Sequence, residues 1–149
     1  MNTKELTAKV YKALDEKLAE DISVIDISNI SVIADFFIVA TAKNQNHLAA
    51  LQDAADEVMY KNGFHAKQVE GNRNSTWILM DYEDIIIHLF SAEDRLFYNL
   101  ERIWQDGTFI SEDECMRFLY LKESIYTEYL AENLTVWNDD VVHVGVLRM

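Results

Sequence analysis

Four polar residues in one short segment have the side chains that metal-assisted catalysis uses: Asp81, Glu83, Asp84 and His88. Carboxylates and imidazoles are common ligands of catalytic metal ions. However, Asp81 to Asp84 has the composition of a hairpin turn, where aspartate side chains bond to nearby backbone. Asp84 and His88 would then lie ~13 Å apart along a strand, too far for one mononuclear site. We therefore predict no metal site and no catalytic residue here.

Other catalytic signatures are also missing from the sequence. His47 and His65 are isolated, no residue lies in a nucleophile elbow, and the four glycines form no phosphate-binding loop. A nucleotidyltransferase needs a Gly-Ser turn and paired carboxylates, commonly Asp-x-Asp, to hold Mg²⁺ and a triphosphate. The chain has only Asp-x-x-Asp at 81–84. We predict a protein that is not an enzyme and has no cofactor, with a metal-dependent nucleotidyltransferase-like enzyme as the alternative.

Aromatic residues are concentrated in and after the same segment: Trp77, Tyr82, Phe90, Phe97, Tyr98 and Trp104. Tryptophan and tyrosine combine an apolar ring with a polar group, which suits partly exposed positions. Such residues surrounded by charge are typical of protein–protein hot spots. We predict an interface role for Trp77, Tyr82 and Tyr98, and core packing for Phe97 and Trp104.

The apolar patterns predict the elements that position these residues. Leu6, Val10, Leu14 and Leu18 form a helical stripe over 3–20, and Asn2 with Glu5 resembles a capping box. The other predicted elements are strands at 24–27, 35–40 and near 65–69, a helix at 45–61 ended by Asn62-Gly63, a β-hairpin at 76–90 and a helix at 92–105. The last helix is predicted to bury Leu96, Leu100, Ile103 and Trp104.

This α-β-β-α-β-β-β-α order predicts an α/β fold with a mixed β-sheet flanked by helices. The β-α-β unit around 35–69 predicts a parallel strand pair, and the hairpin an antiparallel one. We divide the chain into a domain at 1–107 and a C-terminal extension at 108–149. In the extension, Ser111 with Glu114 predicts a helix cap, the helix continuing to about 131, and 136–149 could be a strand pair or a tail.

The formal net charge of −13 bounds the partners. It argues against an extended phosphate-binding surface, so we predict no direct sequence-specific nucleic-acid binding, and it favours a basic partner.

The single cysteine, Cys115, excludes a disulfide within the chain. No apolar run is long enough to span a membrane, and no signal peptide is recognisable, so we expect a cytoplasmic protein.

A linked series of motifs over about residues 3–107 resembles the RsfS/Iojap family of ribosomal silencing factors. The matching pieces are Asp26-Ile27-Ser28 with Ser31, Ala34 to Ala40, Glu70-Gly71 with Trp77, Asp81-Tyr82 with Asp84, Ile87-His88 with Phe90, and Glu93, Arg95, Phe97-Tyr98, Leu100-Glu101 and Trp104. The chain departs from the family pattern at two usual glycines, replaced by Ala42 and Glu83. Residues 108–149 also extend past the common family end.

The resemblance implies a fold related in shape to nucleotidyltransferases but without their activity. It implies binding to large-subunit ribosomal protein fourteen, where the factor blocks joining of the small subunit and lowers translation when nutrients are scarce. Homodimers occur in this family. On this basis we predict that the partner-binding residues are Glu70, Trp77, Asp81, Tyr82, Asp84, His88, Phe90, Arg95 and Tyr98. A dimeric adaptor for some other basic partner is a third interpretation.

Overall fold

The computed structural model describes residues 2–72 and 74–119, and the predicted helix end near 131 and the segment 136–149 lie outside these residues. The elements in chain order are α1 (Thr3–Glu16), β1 (Glu20–Asp26), β2 (Phe36–Ala42), α2 (Gln45–Lys61), β3 (Gln68–Glu70), β4 (Trp77–Asp81), β5 (Ile85–Ser91), α3 (Ala92–Tyr98), α4 (Leu100–Ile103) and β6 (Thr108–Ile110). The predicted α/β class is confirmed.

One six-stranded mixed sheet organises the fold, with strand order β3-β4-β5-β2-β1-β6. The hairpin pairs β4 with β5 in antiparallel register, with Trp77 opposite Phe90 and Leu79 opposite His88. The only parallel pair among the described strands is β2 with β5, in which Phe36 lies opposite Ile85. Our prediction of a parallel pair within 35–69 was therefore wrong, because the short, exposed β3 pairs with β4 at the sheet edge instead.

Both faces of the central strands are buried, and they face different layers. Residues 85, 87 and 89 of β5 pack with α1 and α2, whereas Ile86, His88 and Phe90 face the opposite side of the sheet. Every residue of β2 is buried. Strands of this kind are continuous apolar runs, because neither face reaches water.

The helix ends follow local sequence signals in most places. Asn2 caps α1 by accepting a hydrogen bond from the Glu5 backbone N–H at 2.7 Å, as predicted. The helix ends at Glu16 rather than near residue 20, because Leu18 adopts a left-handed conformation (φ 63°) and is exposed. At the end of α2, Gly63 has φ +88°, which confirms the predicted stop.

The predicted helix at 92–105 is broken in two at Asn99. This residue has φ 46° and ψ 59°, a left-handed conformation that asparagine tolerates better than most residues. The break changes which side chains are buried. Leu100 is buried as predicted, but Leu96 and Ile103 are exposed, contrary to the prediction.

The sheet continues beyond residue 107 through β6, which pairs antiparallel with β1. A Cβ at Gly107 would lie 2.7 Å from Ile25 Cγ2, so the absence of a side chain permits this approach. Ser111 then accepts a hydrogen bond from the Glu114 N–H at 3.2 Å, as the predicted cap requires. The division of the chain at residue 107 stays a prediction.

Candidate functional site

A chain of aromatic rings runs across the sheet face that α1 and α2 do not cover. Trp77 stacks on Phe90 at 5.0 Å between ring centroids, and contacts the Tyr98 ring at 4.5 Å. The Phe37 ring makes edge-to-face contacts with His88, at 5.0 Å between ring centroids, and with Trp104, at 4.9 Å. These distances are within the favourable range for aromatic pairs. The rings therefore form one packed layer that begins in the core and ends at the surface.

The outer end of this layer is exposed on α3. The Phe97 side chain is 80% exposed and touches Tyr98, which is 41% exposed, at 5.1 Å. We call Trp77, Phe97 and Tyr98 the docking surface. Leu96 on α3 and Ile103 on α4 are also exposed. The prediction that Phe97 packs in the core was wrong, and a grouping of exposed large apolar residues of this kind is typical of interaction sites.

His88 supports the docking surface from below. Its Nδ1 accepts a hydrogen bond from the Trp77 indole N–H at 3.1 Å, so the neutral ring carries its proton on Nε2. Nε2 is buried and has no hydrogen-bond partner among the described residues. Burial lowers the pKa of His88 to about 4. His88 and Phe90, predicted as partner-binding residues, are both buried, so they position Trp77 and are not exposed to a partner.

Tyr82 was predicted to be partly exposed, but the structure buries it. Only 6% of the residue is accessible, and it packs with the core beneath α1 and α2. Its hydroxyl donates a hydrogen bond to Asp56 Oδ1 on α2 at 2.6 Å. Burial, together with this carboxylate, raises the pKa of Tyr82. The strand alternation explains the difference, because position 82 shares a face with the buried Ile78 and Met80 rather than with Trp77.

Arg95, another predicted partner-binding residue, is used within the protein. Its side chain is 13% exposed and forms a salt bridge with Glu101 at 2.8 Å. It also donates hydrogen bonds to Thr41 and Ser23, each at 3.0 Å. The guanidinium therefore holds α3 against α4 and the sheet.

The acidic residues predicted for the site lie away from the docking surface. Asp81 and the exposed Asp84 flank the hairpin tip, at the opposite end of β4 from Trp77, which is roughly 13 Å at the usual rise per strand residue. Asp81 Oδ1 accepts the Glu83 N–H at 2.8 Å and so shapes the turn. Glu70 is exposed on β3 at the sheet edge. Of the nine predicted residues, the structure groups Trp77, His88, Phe90 and Tyr98.

The tip has an unusual backbone at Glu83, whose φ is +70°. This left-handed conformation favours glycine, the residue usual at this position in the family that the chain resembles. The glutamate therefore keeps a glycine-like turn at a cost in strain. Ala42, the other departure, is a buried residue of β2 and has no positive φ.

Within residues 2–72 and 74–119, no group of three histidine, cysteine or acidic side chains is arranged to hold a metal ion. Both nitrogens of the His47 ring have hydrogen-bond partners, because Nδ1 accepts the Lys43 N–H at 2.9 Å and Nε2 lies 2.7 Å from the Lys17 carbonyl oxygen.

Across the same described ranges, none of the helices has the length and apolar content that crossing a membrane requires.

Sequence reasoning missed Phe97, Leu96 and Ile103 as surface residues. A continuous helix over 92–105 would have placed part of this set toward the core, and the pattern contains no glycine or proline to mark the break. Asn99 was the only local signal, since asparagine is enriched in the left-handed region.

Comparison with known families supports the motif resemblance. The family model described as ribosomal silencing factor during starvation, RsfS, matches residues 1–131. A ribosomal silencing factor RsfS from Bacillus subtilis is 35% identical over 111 residues, covering 72% of this chain and 91% of that protein. Its counterpart from Halalkalibacterium halodurans is 32% identical over 107 residues, covering 72% of this chain and 92% of the relative.

Solved structures show the same fold. A crystal structure of a protein from Chromobacterium violaceum superposes with a TM-score of 0.67 at 25% identity, covering 70% of this chain and 88% of the other. A protein from Bacillus halodurans gives a TM-score of 0.64 at 28% identity, covering 73% of this chain and 99% of that one. The sheet and its helices are therefore shared with these proteins.

Proposed function

This chain belongs to the RsfS family of ribosomal silencing factors, and on that premise we propose that its docking surface binds the large ribosomal subunit. In this proposal the partner is ribosomal protein fourteen of that subunit. The bound factor blocks joining of the small subunit and so represses translation when nutrients are limited. Its place of action is the cytoplasm, where the ribosomes are.

The single observation that carries the proposal is the exposure of Phe97 and Tyr98 beside Trp77. A large exposed aromatic group loses contact with water when a partner covers it, which makes it a strong anchor. The rings below the surface, Phe90 and His88, hold Trp77 in place before binding. Such preorganisation lowers the entropy that binding must overcome.

Charge supports a basic partner. The net charge of −13 favours fast association with a positively charged surface. On α3, the residues Glu93 and Asp94 add acidic groups next to the docking surface. Asp94 also accepts a hydrogen bond from the Thr76 hydroxyl, which ties the start of α3 to the residue before β4.

We also propose that the protein acts by binding and not by catalysis. The family name describes a silencing factor. The carboxylates at the hairpin tip are engaged in the turn or exposed, and His88 is buried within β5 with Nδ1 occupied by Trp77. This arrangement does not favour the nucleotidyltransferase-like alternative.

Light scattering of ribosomal subunit reassociation tests the proposal. Purified protein, added to large subunits before small subunits, should lower the scattering increase in a concentration-dependent way. The Tyr98→Ala variant should inhibit less, whereas Tyr60→Ala, which removes an exposed tyrosine from α2, should inhibit like the wild type. Unchanged reassociation at saturating wild-type protein would contradict the proposal. Binding to large subunits that lack protein fourteen would contradict its choice of partner.

A further inference from the structure

Arg95 connects four separate elements through one guanidinium group. Its Nε and Nη2 atoms lie 2.9 and 2.8 Å from Glu101 Oε1 on α4. Nη1 donates to Thr41 Oγ1 on β2 at 3.0 Å, and Nη2 donates to Ser23 Oγ on β1 at 3.0 Å. Because most of its hydrogen-bonding groups are satisfied inside the protein, the side chain is a structural connection between α3 and its surroundings.

The Arg95–Glu101 pair depends on the break at Asn99. Side chains six residues apart in a continuous helix point in directions about 120° apart around its axis, so they do not meet. Here the left-handed Asn99 turns the chain between the two helices and brings Glu101 back to Arg95. The salt bridge therefore spans the break: the break brings the two side chains together, and the salt bridge stabilises the break.

The break at Asn99 determines which side chains of α3 and α4 are exposed and which are buried. On one side of Asn99, Tyr98 lies against Trp77 and remains partly exposed together with Phe97. On the other side, Leu100 is buried in a cluster with Val39 and Phe90. A single straight helix would not place both sets of residues in this way.

We infer that Arg95 and Glu101 form a positioning pair that holds the α3–α4 break, and with it the docking surface, in the arrangement that binds the partner. The pair itself does not touch the partner. The effect on partner binding rests on the proposed function, since it concerns the same docking surface. Without the pair, α3 samples other orientations, and the apparent affinity falls by the fraction of molecules that stay competent to bind.

Hydrogen exchange of the free protein tests the pair without the ribosome. Arg95→Gln and Glu101→Gln should each speed exchange of the amides in 97–103 by about tenfold, as expected if local opening becomes easier. Amides of β2 and β5 should keep their protection. Arg102→Gln is the matched control, because it neutralises an exposed arginine next to Glu101 on the same helix. Unchanged exchange in both folded variants would overturn the inference.

Binding measurements then test the consequence for the docking surface. Arg95→Gln and Glu101→Gln should each lower affinity for large subunits by about tenfold, and the double variant by little more, because both single variants remove the same Arg95–Glu101 salt bridge. The loss caused by Glu101→Gln should shrink in a Tyr98→Ala background. A fall in affinity without faster exchange would mean direct contact with the partner and would overturn the inference. If wild-type protein does not bind large subunits, the proposed function fails, and the exchange experiment alone decides whether the pair holds the break.

Discussion

The indole N–H of Trp77 donates a hydrogen bond to Nδ1 of His88 across the β4–β5 hairpin, at 3.1 Å. This contact joins a half-buried ring of the docking surface to a fully enclosed imidazole. It fixes both the orientation of Trp77 and the neutral form of His88. The stability of the surface is thereby linked to the protonation of a residue that a partner does not reach.

Stability should fall as the pH drops from about 6.5 to about 4, owing to His88. Burial lowers its pKa in the folded protein from the ordinary value of 6.5 to about 4. The unfolded chain therefore binds a proton at His88 more readily than the folded protein in this window. As the pH falls, the free energy of unfolding decreases by up to about 3 kcal/mol in total. Urea unfolding of wild type and His88→Phe at a series of pH values measures the difference between them. His65→Gln, which removes an exposed imidazole, is the control, and a pH-independent difference would contradict this account.

Phe97→Ala should weaken binding to large subunits without affecting folding. The side chain is 80% exposed, so its loss changes the free energy of unfolding by less than about 0.5 kcal/mol. An anchor residue at an interface typically contributes about 2 kcal/mol, or roughly thirtyfold in affinity. Co-sedimentation with large subunits and thermal melts separate the two effects. Normal binding by this variant and by Tyr98→Ala would place the interface elsewhere.

Tyr82→Phe should affect stability and leave binding unchanged. The variant keeps the ring but removes the hydroxyl that donates to Asp56 at 2.6 Å. Because Asp56 is exposed and water can replace the lost donor, the expected destabilisation is about 1 kcal/mol. Urea unfolding measures it, with Tyr60→Phe as the control at an exposed position. Weakened binding to large subunits by the folded variant would restore Tyr82 to the interface.

Glu83→Gly should stabilise the protein by about 0.5–1 kcal/mol. A left-handed conformation costs a residue with a Cβ about 1–2 kcal/mol, of which glycine recovers part after its own entropic cost. The exposed Lys67–Glu83 pair, at 3.8 Å, contributes little. Glu83→Ala removes the same ion pair but keeps the Cβ, so it should give no increase. Equal urea midpoints for the glycine and alanine variants would show that the backbone strain is not relieved.

Association with large subunits should slow as salt is added. Attraction between the acidic protein and a basic partner is screened beyond about 8 Å at physiological ionic strength. Stopped-flow measurements should show a falling on-rate with a smaller change in the off-rate. Phe97→Ala should keep this salt dependence while its off-rate rises. An on-rate that does not respond to salt would remove the electrostatic part of the proposal.

Much of the fold could be predicted because its signals are local. Asn2 with the Leu6, Val10 and Leu14 spacing specifies α1, and Asn62-Gly63 specifies the end of α2. The apolar runs on either side of Asp81–Asp84 specify the hairpin. In each case the residues that form the element are neighbours in sequence, so periodicity and capping chemistry are sufficient to identify it.

The tertiary structure decided the features that depend on distant residues. The continuous apolar run of β5 does not reveal which face each side chain occupies, because both faces are buried. Only the sheet order places His88 beneath Trp77 and Tyr82 beneath α2. Likewise, Arg95, which precedes the left-handed turn at Asn99, bonds to Thr41 of β2 and Ser23 of β1, which are 54 and 72 positions away in sequence. These contacts of α3 join residues far apart in sequence, and no local pattern contains them.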